Sequence, residues 1–185
     1  MIIKYHYSHK IVQNSYLHLG VFFKKELMGV LSFGYALNPS SIGRKVFPGL
    51  GNNEYMELNR MWLDDALPKC VASCVFSYCI KVIKKLYPAV KIIQSFADAR
   101  CHKNGLVYMA CNFVYYGYHE GDFYVFGDEF IHPIEVNRIL KTGERKKEDF
   151  VKVYYRQYRF IFYIDKKMRD KCLLKEQNYR DDVGF

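Results

Sequence analysis

Five short stretches of this chain carry side chains of the types that do chemistry. YHYSHK (residues 5–10) gathers His6, Tyr7, Ser8 and His9. Imidazoles there can move protons near neutral pH, stack on a base or, at H-x-x-H spacing, ligate a metal, although no third and fourth ligand is evident. ELNRMWL (57–63) sets Arg60 inside an apolar run, where an arginine needs an acidic partner or an anionic ligand. Ser73 falls in the first turns of a helical stretch, off its apolar stripe; its hydroxyl can bond locally at the helix start or serve an anion held there. QSFAD ends on Asp98, a carboxylate directly after a buried run and too early to cap the helix expected from Gly105. It could be a general base, or could orient an attacking amine. Tyr108, in GLVYMACNF, either packs or donates a proton to a leaving group.

The elements that must position these residues follow from periodicity. Leu17–Phe23 and Leu27–Tyr35 read as strands around the charged turn Lys24-Lys25-Glu26, and Tyr55–Leu63 as a third. Strict alternation in the third would put Leu58, Arg60 and Trp62 on one face and Asn59, Met61 and Leu63 on the other. Residues 38–54, rich in Gly, Pro, Ser and Asn, form a loop long enough to suggest disorder or function. Val71, Cys74, Val75, Tyr78, Cys79, Val82, Ile83 and Leu86 make a helical stripe, and 90–96 is a strand that the crossover makes parallel to the third. A short helix over Gly105–Cys111, a strand from 113, a hairpin turning at Gly127-Asp128, a helix over Pro133–Leu140 and a last strand over Tyr158–Ile164 complete one domain spanning 1–185. The expected class is α+β: a mixed, mostly antiparallel sheet with a central parallel pair and flanking helices.

Half of the residues are hydrophobic and 17% aromatic, which excludes a disordered chain. No apolar run has the length of a transmembrane helix and the N-terminus does not read as a signal peptide, so a soluble, cytoplasmic protein with no membrane partner is expected. Six cysteines without a C-x-x-C pair suit reduced thiols rather than disulfides or a zinc site. The formal charge is +9, and 138–175 holds thirteen Lys/Arg against five Asp/Glu, a net of +8. Arg145, Lys146, Lys147, Arg156 and Arg159 alternate there with tyrosines and phenylalanines, a pattern suited to nucleic acid, or to a core strand with a solvated basic surface.

The order strand, turn, helix, strand, helix over 55–117 resembles the centre of the GNAT N-acyltransferases. YHYSHK, ELNRMWLDD, LPKxxxS and QSFADARCHKNGLVYMACNFVYYG, in that order, are similar to the Mom DNA-modification proteins of bacteriophages. The resemblance implies a GNAT-like fold and a transferase that converts adenine N6 in double-stranded DNA to N6-carbamoylmethyladenine, shielding phage DNA from host restriction. It implies active-site roles for His6, Tyr7, Asp98 and Tyr108, with Arg60 and Ser73 toward an acyl donor, either acyl-CoA or another glycine or acyl carrier. The turn ALPKCVAS lacks the glycine-rich pyrophosphate signature of ordinary acetyltransferases. A GNAT-like transferase acting on a small amine or protein, and a non-enzymatic nucleic-acid binder, are the alternatives.

Overall fold

The computed structural model describes residues 1–6, 11–36, 42–99, 104–127, 129–131 and 133–183. Strands β1 (Ser15–Phe23) and β2 (Glu26–Gly34) form an antiparallel hairpin. Its turn residues, Lys24 and Lys25, both have positive φ, the turn geometry that matches the twist of paired strands. β3 (Tyr55–Leu63) pairs antiparallel with β2, helix α2 (Val71–Leu86) crosses over, and β4 (Ile92–Asp98) lies parallel to β3. Helix α3 (Leu106–Ala110), β5 (Val114–Phe126), β6 (Glu129–Ile131), α4 (Pro133–Thr142) and β7 (Val151–Tyr163) follow. Short helices α1 (Ile2–Tyr5) and α5 (Tyr179–Val183) stand at the two ends. The sheet order is β1-β2-β3-β4-β7-β5-β6, with β3–β4 its parallel pair. This is the α+β arrangement expected, a mixed, mostly antiparallel sheet with a central parallel pair and flanking helices. Among the described residues no helix is long and apolar enough to cross a membrane.

Each face of the sheet buries its own core. On one, Phe76, Cys79, Ile80 and Ile83 of α2 pack on Met56, Leu58, Ile93, Phe113 and Phe160. This corrects the expected stripe: Tyr78 and Leu86 are exposed, and the buried arc is centred on Phe76 and Ile80. The helix is apolar over more than one stripe, and the sheet selects the side with the larger inward-facing side chains. On the other face Ile42, Val46, Phe47 and Leu50 cover Tyr55, Ile92, Tyr116 and Ile161. The described part of the 38–54 loop is therefore core, its apolar residues closing the sheet face that no long helix covers.

β3 and β4 pair only at Tyr55↔Ile92, Met56↔Ile93 and Glu57↔Gln94, and then part. β4 continues beside β7 as far as Asp98, while β3 continues beside β2 as far as Leu63. The β2–β3 register shifts here: Ser32 faces Arg60 and Phe33 faces Leu58, so Asn59 has no opposite number. That bulge overturns the strict alternation expected for β3. Leu58, Met61 and Leu63 all belong to the α2-side core, and Arg60 and Trp62 turn to the opposite face. β4 also runs to Asp98 rather than ending at residue 96, so Ser95 is a fully buried mid-strand residue. β7 begins at Val151, seven residues before the expected start, because it follows the long β5; its outer half is largely exposed and carries little apolar signal.

Glu57 closes the parallel ladder. It is 7% exposed, with its carboxylate accepting from Gln94 Nε2 at 3.4 Å. Burial pushes its pKa up to about 7, against the opposing pull of Gln94 and of the Arg60 and Arg159 charges. A carboxyl whose folded-state pKa is raised favours the fold at low pH and loses that advantage as pH climbs from about 4.5 to about 7. Over that window the loss should reach roughly 3 kcal/mol. Glu57→Gln should therefore match the wild type in thermal melts near pH 4.5 and exceed it at pH 8. Equal pH dependence in the two proteins would show that Glu57 does not titrate in the fold.

Candidate active site

Where β3 and β4 part, they leave a cavity of about 530 Å³. His6, Arg60, Asp98 and Tyr108, four residues singled out from the sequence, all line it. Three separate constraints bring Arg60, Asp98 and Tyr108 there. The bulge at Asn59 turns Arg60 inward, pairing with β7 carries β4 out to Asp98, and Gly105 seats α3. Gly105 has φ +86, and a Cβ on it would lie 2.4 Å from the Phe160 ring and 3.0 Å from Ala97 Cβ. Only glycine lets α3 start this close to the sheet.

Tyr108 both packs in the core and lines the cavity. Its ring packs between Phe113 and Phe160, with centroids at 5.4 and 5.1 Å. Burial raises its pKa, opposed by the Ser95 hydroxyl and the Arg60 charge, so the phenol keeps its proton at neutral pH. Ser95 Oγ in turn donates to the Leu58 carbonyl at 3.0 Å. Arg60 Nη1 donates to the Asn59 carbonyl at 2.7 Å, and its charge acts on both Glu57 and Tyr108. His6 is buried at the end of α1, 5% exposed.

Other expected residues stand elsewhere. Tyr7 and His9 lie outside the described residues. Ser73 does not line the cavity; its hydroxyl donates to Cys70 O at 2.9 Å, the local helix-start bond. Among the described residues no group of three His, Cys, Asp or Glu is placed to hold a metal. The five basic candidates do not form one surface. Arg145 stacks over Phe126 at 4.4 Å, the Lys146 backbone N–H donates to Asp149, and Lys147 opens a short 3₁₀ turn. Arg156 lies over Tyr118 at 4.2 Å and donates to the Asp182 carbonyl, on the α5 side of the sheet. Arg159, three residues on, faces the other way over Phe96, a cavity residue, and burial lowers its pKa.

Several residues escaped the sequence reading. Tyr5 stacks on Trp62 at 4.8 Å and 16°, and both rings line the cavity. Their separation in sequence hid the pair. Asp98, Gln157 and His119 share one row across β4, β7 and β5, and burial with the Arg159 charge lowers the His119 pKa, favouring its neutral form. Only register exposes that row. Asn59 and Glu57 stood in ELNRMWL beside Arg60, where their polarity inside an apolar strand was the available signal.

Methylcarbamoylase mom of Escherichia phage Mu is 48% identical over 183 residues, spanning 94% of this chain and 76% of that protein. Among solved structures, the chain is similar to a GNAT-family acetyltransferase from Streptococcus pneumoniae (12% identity, TM-score 0.47, covering 82% of this chain and 67% of that one). It is also similar to Arabidopsis thaliana NAA60 in complex with a bisubstrate analogue (13%, TM-score 0.49, 76% and 67%). The profile of the Mom protein family matches residues 1–181, and the chain belongs to that family.

Proposed function

We propose that this transferase converts adenine N6 in double-stranded DNA to N6-carbamoylmethyladenine, in the cytoplasm of a host bacterium, and so protects phage DNA from restriction. The observation that carries the reading is the convergence of His6, Arg60, Asp98 and Tyr108 on one cavity, in a chain half identical to a methylcarbamoylase. The reaction asks for specific help. The N6 lone pair is delocalised into the ring, so N6 is a weak nucleophile, and a duplex adenine must leave its stack at a cost of a few kcal/mol. Forming the new N6–C bond requires N6 to lose one proton and the leaving group to gain one. Asp98 is the base for the first and the neutral Tyr108 phenol the acid for the second. His6 completes the acceptor side, and Arg60 offers its charge to an anionic part of the donor.

The fold suggests an acyl-CoA as donor, but acyl transfer would join N6 to a carbonyl carbon whereas the carbamoylmethyl product joins it to a methylene, and the turn between β3 and α2 is a poor match for a pyrophosphate. It carries the carboxylates of Asp64 and Asp65; no side chain caps α2, and Ser73 spends its proton on Cys70 O. We therefore assign the hold on the donor to its transferred group and leaving atom rather than to a nucleotide tail, and Ser73 drops out of the donor site.

Expression beside a plasmid, digestion of the DNA to nucleosides and mass spectrometry should reveal a heavier deoxyadenosine. Unmodified adenine from well-expressed, folded protein would remove this reading in favour of transfer to a small amine or protein. Asp98→Ala and Tyr108→Phe should each cut modification by about 10²-fold or more. Tyr108→Phe keeps the ring packing, so its melting temperature should stay near that of the wild type; wild-type modification by this variant would exclude the phenol as the acid. DNA affinity should fall steeply from 50 to 200 mM salt, and less steeply once Arg145, Lys146 and Lys147 are replaced by alanine. An unchanged slope would take those residues out of the interface.

A further inference from the structure

The tip of the β1–β2 hairpin is built against its own backbone preferences. Phe23 pairs with Glu26, so Lys24 and Lys25 form a two-residue turn, with φ of 49° and 71°. That geometry suits Asn-Gly, and a lysine is strained at either position. Strain of this kind persists where a function keeps it. Every residue from Phe22 to Leu27 is exposed, Phe22 by 67%. Neither lysine has an acidic partner among the described residues, and Lys24 Nζ lies over the Phe23 ring at 5.5 Å. Phe22 and Leu27 pair across the hairpin and lean over Gly20, where a Cβ would lie 3.0 Å from Leu27 Cδ1 and 3.3 Å from the Phe22 ring. An exposed apolar pair beside two lysines suits a partner with both apolar and anionic parts.

We propose that this tip is a wedge for duplex DNA: Phe22 and Leu27 fill the gap that the extruded base leaves in the stack, and Lys24 and Lys25 hold the phosphates beside it. This rests on the nucleic-acid reading above. Placement selects DNA among partners of that chemistry. Strand register sets Gly20, Val30 and Trp62 in one row across β1, β2 and β3, and Phe22 and Leu27 form the next row outward on the same face. Trp62 lines the cavity, with Tyr5 stacked on it. Strand spacing and rise put the backbones of Phe22 and Trp62 about 12 Å apart, a span of about three to four base-pair steps. Gly29 pairs with Leu63, beyond the point where β3 leaves β4, so the tip and the cavity stand at one end of the sheet. A base pushed from the stack at the tip meets the Trp62 and Tyr5 rings on its way to the cavity. Filling the gap offsets the unstacking that chemistry on a paired base demands.

The probes are a short duplex with 2-aminopurine beside each adenine of one strand, and that strand alone; 2-aminopurine brightens when its neighbour leaves the stack. Wild-type protein should bind both and brighten the duplex. Phe22→Ala with Leu27→Ala should weaken duplex binding about tenfold and abolish the brightening, with a thermal melt confirming the fold. Its affinity for the single strand should stay within about twofold of wild type, because a single strand leaves no gap to fill. Phe22→Ala alone serves if the double variant does not fold. Lys24→Asn with Lys25→Gly should relieve the turn and raise the melting temperature, yet lower the salt slope of duplex binding by about one to two. A merely structural turn would gain the stability and keep the slope. Wild-type duplex binding without brightening, a folded wedge variant that behaves as wild type, or equal loss on both probes overturns the assignment. So does a tip that serves anionic vesicles or self-association while DNA binding ignores it. If wild-type protein binds neither probe, the nucleic-acid reading itself falls and takes the wedge with it, a result distinct from loss on the duplex alone.

Discussion

Two parallel strands that pair at three positions and then separate must find other partners for the backbone groups they release, and that requirement organises the whole site. On β3 the carbonyls of Leu58 and Asn59, just past the last parallel pair, accept from side chains. Ser95 Oγ answers the first and Arg60 Nη1 the second. Each substitute is a side chain with a further reach. Ser95 also meets the phenol of Tyr108, and the charge of Arg60 bears on both Tyr108 and Glu57. The polar groups that repair the broken ladder are thereby the groups that set the electrostatics of the cavity.

The repair explains why the packing and chemical readings of single residues need not compete. Tyr108 belongs to an aromatic cluster in which Phe76, Phe113 and Phe162 touch edge to face or tilted. Such contacts hold a ring more firmly than area burial alone. A proton donor gains from that, because its hydroxyl cannot wander from the reacting atom. Arg60, likewise, is both a structural donor to the Asn59 carbonyl and a cation in the wall of the cavity.

What the sequence made legible was governed by range. Tyr55–Leu63 and Val71–Leu86 were readable to the residue because β-alternation and helical period are local properties. The phase within them was not. Nothing local announces that Asn59 bulges, since the bulge exists only against the register of β2, and it brings Leu58, but not Arg60, onto the face of Met61. The buried arc of α2 was misjudged for the same reason: Phe76 and Ile80 win over Tyr78 and Leu86 by fitting the sheet, not by any periodicity of their own. Residues 42–50 carried loop composition, yet Ile42, Val46 and Phe47 are among the best-buried side chains, because one sheet face had no long helix to cover it. The convergence of His6, Arg60, Asp98 and Tyr108 was legible through ordered motifs, whereas Tyr5–Trp62 and Asn59 depended on contacts that no motif encodes.

Asp98 and Tyr108, the proposed base and acid, approach the cavity from opposite sides of the sheet. Ala97 packs in the α2-side core, so Asp98, the next residue of β4, projects to the other face with Arg60 and Trp62. Tyr108 comes from α3, on the α2 side, and reaches the cavity past Gly105 and Ala97. In the proposed transfer the nucleophile arrives and the leaving group departs along different directions from the same carbon. A base and an acid on one face would crowd a single direction and neutralise each other by direct proton exchange. Divergent strands avoid this, because the opening between β3 and β4 lets both faces of the sheet contribute to a single reaction volume. A continuous ladder would keep Asp98 and Tyr108 apart with a layer of backbone between them.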